Sequence, residues 1–183
     1  ITSQCGGTVS SMISIVYLDN VPSATQYRVR ITNPVTGLSS TIETPNRYFT
    51  FKSFSSYDFA TTYNVEVELQ VAGNWLGYYG SVCQVSTPAT PALALTACGM
   101  TISNRFTGVY TPFIQGVTSY EFRVTRDVPG AVAQEYISNW NGFMFHYLGG
   151  FIYGSSYNVE VAINTPGDST FSSYGSPCTV NTP

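Results

Sequence analysis

Charged side chains are scarce in this chain: 9% of its 183 residues are Asp, Glu, Lys or Arg, and lysine is almost absent. Ten acidic residues against seven basic ones leave a formal net charge of −3, and the basic residues are scattered along the chain. Recognition of nucleic acid requires clustered cations that contact phosphates. The composition therefore excludes a nucleic-acid-binding protein.

Long apolar runs and catalytic motifs are also missing. No window approaches 18 uninterrupted apolar residues, so we expect no membrane insertion. The chain has no Gly-x-Ser-x-Gly motif, no Cys-x-x-Cys motif and a single histidine, His146. Nucleophilic catalysis and zinc binding need such residues in combination. We therefore expect no enzyme, no catalytic residue and no metal or cofactor, and we expect His146 to be a strand residue that faces solvent or neighbouring backbone.

Apolar and aromatic residues, in contrast, are abundant. They make up 43% and 15% of the chain, which is far more than a disordered chain carries. Ser, Thr, Tyr and Asn supply neutral hydrogen-bonding groups, which are typical of an extracellular surface, and four cysteines fit an oxidising compartment. The chain begins at Ile1 without a Met or an export segment, which favours a processed or truncated piece of a longer protein.

The chain contains two copies of one unit. Cys5-Gly6-Gly7-Thr8-Val9 corresponds to Cys98-Gly99-Met100-Thr101-Ile102, and segment 24–32 corresponds to 117–125. Tyr-Asn-Val-Glu-Val recurs at 63–67 and 157–161, Tyr-Gly-Ser-x-Cys recurs at 79–83 and 174–178, and each copy ends in Thr-Pro. The offset grows from 93 to 95 residues, which matches one complete small domain. We therefore expect domains at 1–88 and 89–183.

Each copy has the pattern of an all-β protein. Apolar and polar residues alternate in runs such as 26–31, 63–71, 121–124 and 158–163, and turn signals interrupt these runs every 8 to 14 residues. No segment of 10 or more residues shows a helical stripe. About seven half-buried strands in about 90 residues are what a two-sheet antiparallel sandwich requires.

The segments 59–67 and 153–161 resemble the entry to strand F of fibronectin type III domains, where a tyrosine opens the strand and its hydroxyl ties the preceding loop. Tyr63 and Tyr157 correspond to this structural tyrosine corner. With its repeated Cys-Gly starts and Thr-Pro ends, the chain resembles tandem modules of surface and secreted proteins of gliding Bacteroidota, which are typically cargo of the type IX secretion system. The resemblance implies two tandem Ig-like, fibronectin type III-like antiparallel β-sandwiches.

The chain departs from the fibronectin pattern at one core position. Fibronectin type III domains have a core tryptophan on strand B, and neither copy has one. We expect Ile13, Ile15 and Tyr110 to fill this place.

The resemblance also implies a disulfide pairing. In such sandwiches strands A and G run parallel, which brings Cys5 near Cys83 and Cys98 near Cys178. The rival pairing, Cys83 with Cys98, would tie the linker instead. A Cα separation above about 7 Å would eliminate a proposed pair.

Four aromatic residues are candidates for a contact surface: Trp75, Tyr78, Tyr79 and Trp140. Packing in the core and at sheet edges is the favoured interpretation of such residues in a sandwich, and stacking on sugars or on a protein neighbour is the alternative. Trp75 and Trp140 do not correspond between the copies. A duplicated sugar platform is therefore disfavoured, whereas a contact site in one copy stays possible.

Two further polar features have structural interpretations. Glu66 and Glu68 lie on one face of a strand and Glu160 repeats Glu66, so we expect these carboxylates to serve the outer sheet face. The segment Asp168-Ser169-Thr170 resembles the short acceptor used for O-glycosylation in Bacteroidota, but a plain turn is the favoured interpretation.

The duplication, the missing catalytic groups and the short linker at 88–91 indicate a non-enzymatic structural or adhesive module. We expect it to be extracellular, either secreted or on the cell surface, and part of a larger adhesin, fibre or appendage. Its expected partners are neighbouring modules of the same polypeptide, further copies in a homo-oligomer or filament, and surface glycans. The alternative function is an accessory carbohydrate-binding or spacer module of a secreted hydrolase.

Overall fold

The computed structural model describes residues 4–91, 93–167 and 170–183. The chain forms two compact all-β units, the first mainly from residues 1–90 and the second mainly from 91–183. Asp168 and Ser169, the first two residues of the glycosylation candidate, lie outside the described residues. No helix in the described ranges is long and apolar enough to cross a membrane.

Seven strands lie in the described part of the first unit. They are β1 (Val16–Tyr17), β2 (Ala24–Thr32), β3 (Ser39–Thr44), β4 (Tyr48–Phe49), β5 (Thr62–Val71), β6 (Asn74–Trp75) and β7 (Cys83–Ser86). The larger sheet has the order β3-β2-β5-β7, all antiparallel, and β6 adds a short hairpin to β5. The smaller sheet pairs β1 with β4, and Thr8 bridges Ser86 of the last strand in parallel.

The second unit repeats this arrangement. Its strands are β8 (Gly108–Tyr110), β9 (Ser119–Arg126), β10 (Gln134–Ser138), β11 (Gly142–Met144), β12 (Ser156–Asn164) and β13 (Cys178–Asn181). The larger sheet has the order β10-β9-β12-β13, β8 pairs with β11, and Thr101 bridges Asn181 in parallel. Each unit is therefore a fibronectin type III-like antiparallel β-sandwich, which confirms the predicted fold class.

In the long strands, the core residues lie where the alternation of apolar and polar residues in the sequence predicts them. In β2 the side chains of Tyr27, Val29 and Ile31 point inward and are buried, and in β9 those of Tyr120 and Phe122 do the same. Because successive side chains of a strand point to opposite faces, the polar residues between them form the outer face of each larger sheet.

The prediction that Ile13, Ile15 and Tyr110 replace the core tryptophan was wrong. All three are exposed, and Met12, Val16 and Val109 are buried in their place. The register differs by one residue from the predicted one: Val16 and Val109 point into the core, so their neighbours in sequence point away from it. Very short strands are the positions where alternation is least able to define which face is inward.

The prediction that His146 is a strand residue was also wrong. It lies in a single 3₁₀ turn, Phe145–Tyr147, that follows β11, and the first unit has the same turn at Phe51–Ser53. Phe145 is buried, whereas His146 is exposed and its ring lies 4.7 Å from that of Phe106. In both units the turn begins at a buried phenylalanine. The sequence pattern there continues the alternation of the preceding strand, so it predicts strand where the chain turns.

Candidate functional site

All four cysteines are paired. Cys5 bonds to Cys83 and Cys98 bonds to Cys178, with Cα separations of 5.3 and 5.2 Å. The rival pairing of Cys83 with Cys98 is not formed. Each bond joins the segment before the first parallel bridge to the first residue of the last strand, so it connects the two ends of its unit. Such bonds persist in an oxidising compartment.

A tyrosine hydroxyl ties the loop before β5 in the first unit and the loop before β12 in the second. Tyr63 Oη accepts a hydrogen bond from the backbone N–H of Asp58 at 2.9 Å, and Tyr157 Oη accepts one from that of Ile152 at 3.0 Å. Both tyrosines are buried at the start of the strand and both bonds reach back five residues. This is the local geometry of a tyrosine corner.

Arginine and glutamate side chains form pairs on the outer face of each larger sheet. Arg30 lies directly opposite Glu66 in the β2–β5 register, and the corresponding Arg123 lies opposite Glu160 in the β9–β12 register. The Nη2 atoms of the two arginines lie 2.8 and 2.7 Å from the carboxylate oxygens. The hydrogen bond to Glu160 raises the pKa of Arg123 above its usual value. The expected role of the glutamates on the outer sheet face is thus an ion pair across two strands.

An aromatic ring covers each of these arginines. The guanidinium carbon of Arg30 lies 4.0 Å from the ring centroid of Tyr79, and that of Arg123 lies 3.9 Å from the ring centroid of Tyr174. The rings reach this position because the segment before the last strand runs along β5 in the first unit and along β12 in the second. The N–H of the glycine after each tyrosine donates to a carbonyl of that strand, at 2.9 Å in both units. The triad of arginine, glutamate and tyrosine is therefore duplicated with the fold.

Glu68 belongs to a second, single-copy cluster in the first unit. Its side chain is only 4% exposed, and its carboxylate accepts hydrogen bonds from Arg28 Nη1 at 2.7 Å and from the N–H of Gly77 at 2.8 Å. Arg28 also pairs with Glu43 at 2.8 Å, which raises the pKa of the guanidinium, and it covers the ring of Trp75 at 4.0 Å. Glu121 and Ala162 occupy the corresponding positions in the second unit.

Tyr174 differs from Tyr79 in what its hydroxyl contacts. Tyr174 Oη donates a hydrogen bond to Glu121 Oε2 at 2.8 Å. Burial first, and then the hydrogen bond and negative charge of Glu121, raise the pKa of Tyr174 well above its ordinary value of 10.0. The phenol is therefore held in its neutral, proton-donating form on this sheet face.

The four candidate contact aromatics fall into two groups. Trp75 and Tyr79 lie beneath arginines, so one face of each ring is already covered. Tyr78 and Trp140 are 66% and 79% exposed. Trp140 lines a cavity of about 230 Å³ in the second unit together with Tyr110, which was predicted to lie in the core.

The sequence analysis did not identify the arginines that contact the glutamates and aromatic rings of the larger sheets, although Arg30 and Arg123 recur at corresponding positions of the two copies.

Residues that could ligate a metal ion do not cluster in the described ranges. No group of three His, Cys, Asp or Glu residues there is arranged to hold a metal ion. His146, the one histidine, has aromatic neighbours: its ring lies 4.7 Å from that of Phe106 and 5.8 Å from that of Tyr147.

Comparison with known proteins gives structural neighbours only. No family model matches the chain and no curated protein matches it significantly. Among solved structures, one neighbour is the FN1–FN3 domain segment of chicken CNTN1, with 16% identity and a TM-score of 0.34, covering 86% of this chain and 53% of that one. The present chain thus spans about half the length of that segment.

Two other neighbours are close to this chain in length. The chicken interferon gamma receptor alpha chain has 12% identity and a TM-score of 0.37, with 92% of this chain and 91% of that chain covered. A segment of two fibronectin type III domains from chicken tenascin has 12% identity and a TM-score of 0.38, with coverages of 91% and 95%. The fold assignment depends on the strand order described above, and we draw no functional conclusion from these likenesses.

Proposed function

We propose that the chain is a non-enzymatic, extracellular, load-bearing pair of modules from a larger surface adhesin, fibre or appendage. The resemblance to cargo of the type IX secretion system in Bacteroidota supports export by that route. The observation that carries the proposal is the position of the two disulfide bonds. Each one joins the first and last segments of its unit, with sequence separations of 78 and 80 residues.

This placement determines how tension passes through a unit. A force that pulls on the chain before Cys5 and after Cys83 is carried by the covalent bond between them, because the strands from β1 to β6 lie inside the closed loop. The same holds for the second unit between Cys98 and Cys178. Neither sandwich needs to resist the force through its hydrogen bonds, so a string of such units keeps its length under load.

Single-molecule stretching of the complete chain tests the mechanical role. At about 3.4 Å per extended residue, the two closed loops hide about 260–270 Å of chain each. We expect no extension step of that size in oxidising buffer and two such steps after reduction. The double variant Cys5→Ser/Cys83→Ser is the matched control and should show one step without reduction. Steps of about 260 Å from the oxidised wild type would refute load transfer through the disulfide bonds.

Association with further copies is the second part of the proposal. In the described sheets, β3 and β10 each pair with a strand on one side only, so each leaves an edge to which a strand from a neighbour can add. The sparse charge of the chain supports such contact, because few like charges would repel an approaching copy.

Cross-linking of the full-length protein on its native cell or particle tests this part. We expect cross-links between equivalent units of neighbouring copies. Thr41→Pro removes a backbone donor within β3. If copies associate through the edge of β3, this variant should form fewer cross-links. A native particle that contains only separated monomers would refute the assembly role while leaving the stretching result unaffected.

A further inference from the structure

Tyr110 has an unusual position on the outer face of the smaller sheet of the second unit. It is the last residue of β8 and is 54% exposed. A Cβ atom added to Gly108 would lie 2.6 Å from its Cε2, and one added to Gly142 would lie 2.8 Å from its Cε1. The ring therefore occupies the space above both glycines and lies along the sheet. A side chain at either glycine would displace it.

The first unit has the same strand pair without this feature. The β1–β4 register places Tyr17 opposite Tyr48, as the β8–β11 register places Tyr110 opposite Gly142. Glycine in a strand often marks a place where another group approaches closely, and at position 142 that group is the ring of Tyr110. The glycine at 142 therefore distinguishes the second unit from its otherwise similar copy.

A cavity of about 230 Å³ adjoins the Tyr110 ring, and four more aromatic residues line it, of which Phe143 is buried in the core. The rings of Tyr136 and Tyr147 stack with their centroids 5.0 Å apart and an angle of 7° between their planes. Trp140 lies in the turn between β10 and β11 and is 79% exposed. We call Tyr110, Tyr136, Trp140 and Tyr147 the aromatic platform.

Polar groups at the same turn are held by hydrogen bonds. The backbone N–H of Trp140 donates to Ser138 Oγ at 3.0 Å, and Asn141 Nδ2 donates to the carbonyl of Thr111 at 2.6 Å. Ser138 and Asn141 both line the cavity, and every described residue of the lining is uncharged. The site thus combines aromatic faces with neutral hydroxyl and amide groups.

We propose that the aromatic platform binds a neutral pyranose ring of a glycan. The negative face of an aromatic ring attracts the weakly positive C–H face of a sugar, and the neutral polar groups can exchange hydrogen bonds with its hydroxyls. An uncharged lining offers no ion pair to an anionic or cationic ligand. The cavity is smaller than the roughly 300–1,000 Å³ of pockets for drug-sized molecules, and a sugar ring is a ligand of that smaller scale.

This inference goes beyond the load-bearing role and does not depend on it. A sugar site on one unit would attach the string of modules to a glycan, whereas the disulfide bonds determine how it transmits force. Loss of sugar binding would leave the extension steps unchanged, and the stretching experiment can fail without affecting the sugar site.

Saturation-transfer NMR on the complete chain, with neutral hexaoses of glucose, mannose, xylose and N-acetylglucosamine as probes, tests the proposal. We expect transfer to the C–H protons of at least one probe. Tyr110→Ala and Trp140→Ala should each raise the dissociation constant at least about tenfold, as the loss of a principal aromatic contact does. Because Trp140 is exposed, we expect Trp140→Ala to fold normally. This variant therefore still tests the site if Tyr110→Ala does not fold.

Three further variants locate the site. Tyr17→Ala, the matched control at the corresponding position of the first unit, should leave binding unchanged. Gly108→Ala should weaken binding although it removes no ring, because the three atoms nearest to its methyl group all belong to Tyr110, whose ring it would displace. In Trp75→Phe, which leaves Trp140 as the one tryptophan, the probe should change the fluorescence in a saturable way.

The proposal is overturned if none of the four probes gives transfer with the wild type, or if binding survives both Tyr110→Ala and Trp140→Ala. It is also overturned if sedimentation shows a dimer that Trp140→Ala dissociates while sugars have no effect, because the platform would then be a contact with a second copy.

Discussion

Replacement of Arg28 by methionine is the perturbation for which the structure makes the sharpest prediction. Arg28 contacts the carboxylate of Glu68, which is 4% exposed, at 2.7 Å. Methionine keeps much of the length and apolar surface of the side chain but removes its charge and its donors. Glu68 would keep the N–H of Gly77 as a partner, yet its charge would be buried without a cation.

The expected loss follows from the environment of the two charges. Removing one partner of a buried ion pair costs about 3–5 kcal/mol, because the other charge stays buried and uncompensated. The side chain of Arg28 is 27% exposed, so we expect the lower end, about 3 kcal/mol. The control is Arg30→Met, because its partner Glu66 is 19% exposed and water can solvate the carboxylate that remains. We expect about 1 kcal/mol there.

Urea unfolding followed by tryptophan fluorescence measures this difference. In a Trp140→Phe background Trp75 is the one tryptophan, so the signal reports the first unit. With a slope of about 1.5–2 kcal/mol per M, a loss of 3 kcal/mol lowers the midpoint by about 1.5–2 M. Arg28→Met/Glu68→Met should recover most of the loss, since no charge is then buried. Equal effects of Arg28→Met and Arg30→Met, or no recovery in the double variant, would refute the argument.

Three other predictions concern single features. Reduction of either disulfide bond should decrease the unfolding free energy of its unit by about 4 kcal/mol in the chain-entropy model, and coinciding urea curves before and after reduction would contradict this. Because the pKa of Tyr174 is raised, the folded chain keeps a proton that the unfolded chain loses near pH 10. The unfolding free energy should therefore fall as the pH rises above about 10. Urea curves between pH 9 and 11 should show a shallower fall for Tyr174→Phe. Tyr63→Phe and Tyr157→Phe each remove the acceptor of a part-buried hydrogen bond from a loop N–H and should each cost about 1 kcal/mol in thermal unfolding, whereas unchanged transitions would show that the loop needs no such tie.

Alternation and duplication made most of the fold predictable. The long strands lie where apolar and polar residues alternate, because one face of a sheet is buried and the other is solvated. The repeated landmarks indicated two units of one kind. The parallel course of the first and last segments, implied by the resemblance, brings Cys5 near Cys83 as the structure has it.

The functional surface was less predictable, because it depends on contacts between residues that are distant in sequence. Tyr79 and Trp75 were candidates for binding a partner, but arginines of β2, on the far side of β5, cover them. The contact between arginine and ring depends on the cross-strand register and on the course of the segment after β5. Neither can be predicted from the local sequence.

The sequence by itself determined that this protein consists of two β-sandwich units with four cysteines and few charges, because period, composition and repetition are local properties of the chain. Only the tertiary structure decided which side of each short strand faces the core, since a strand of two or three residues has too few side chains to define an inner face. That difference of one residue moved Tyr110 from the predicted core to the surface, where two glycines on paired strands leave room for its ring.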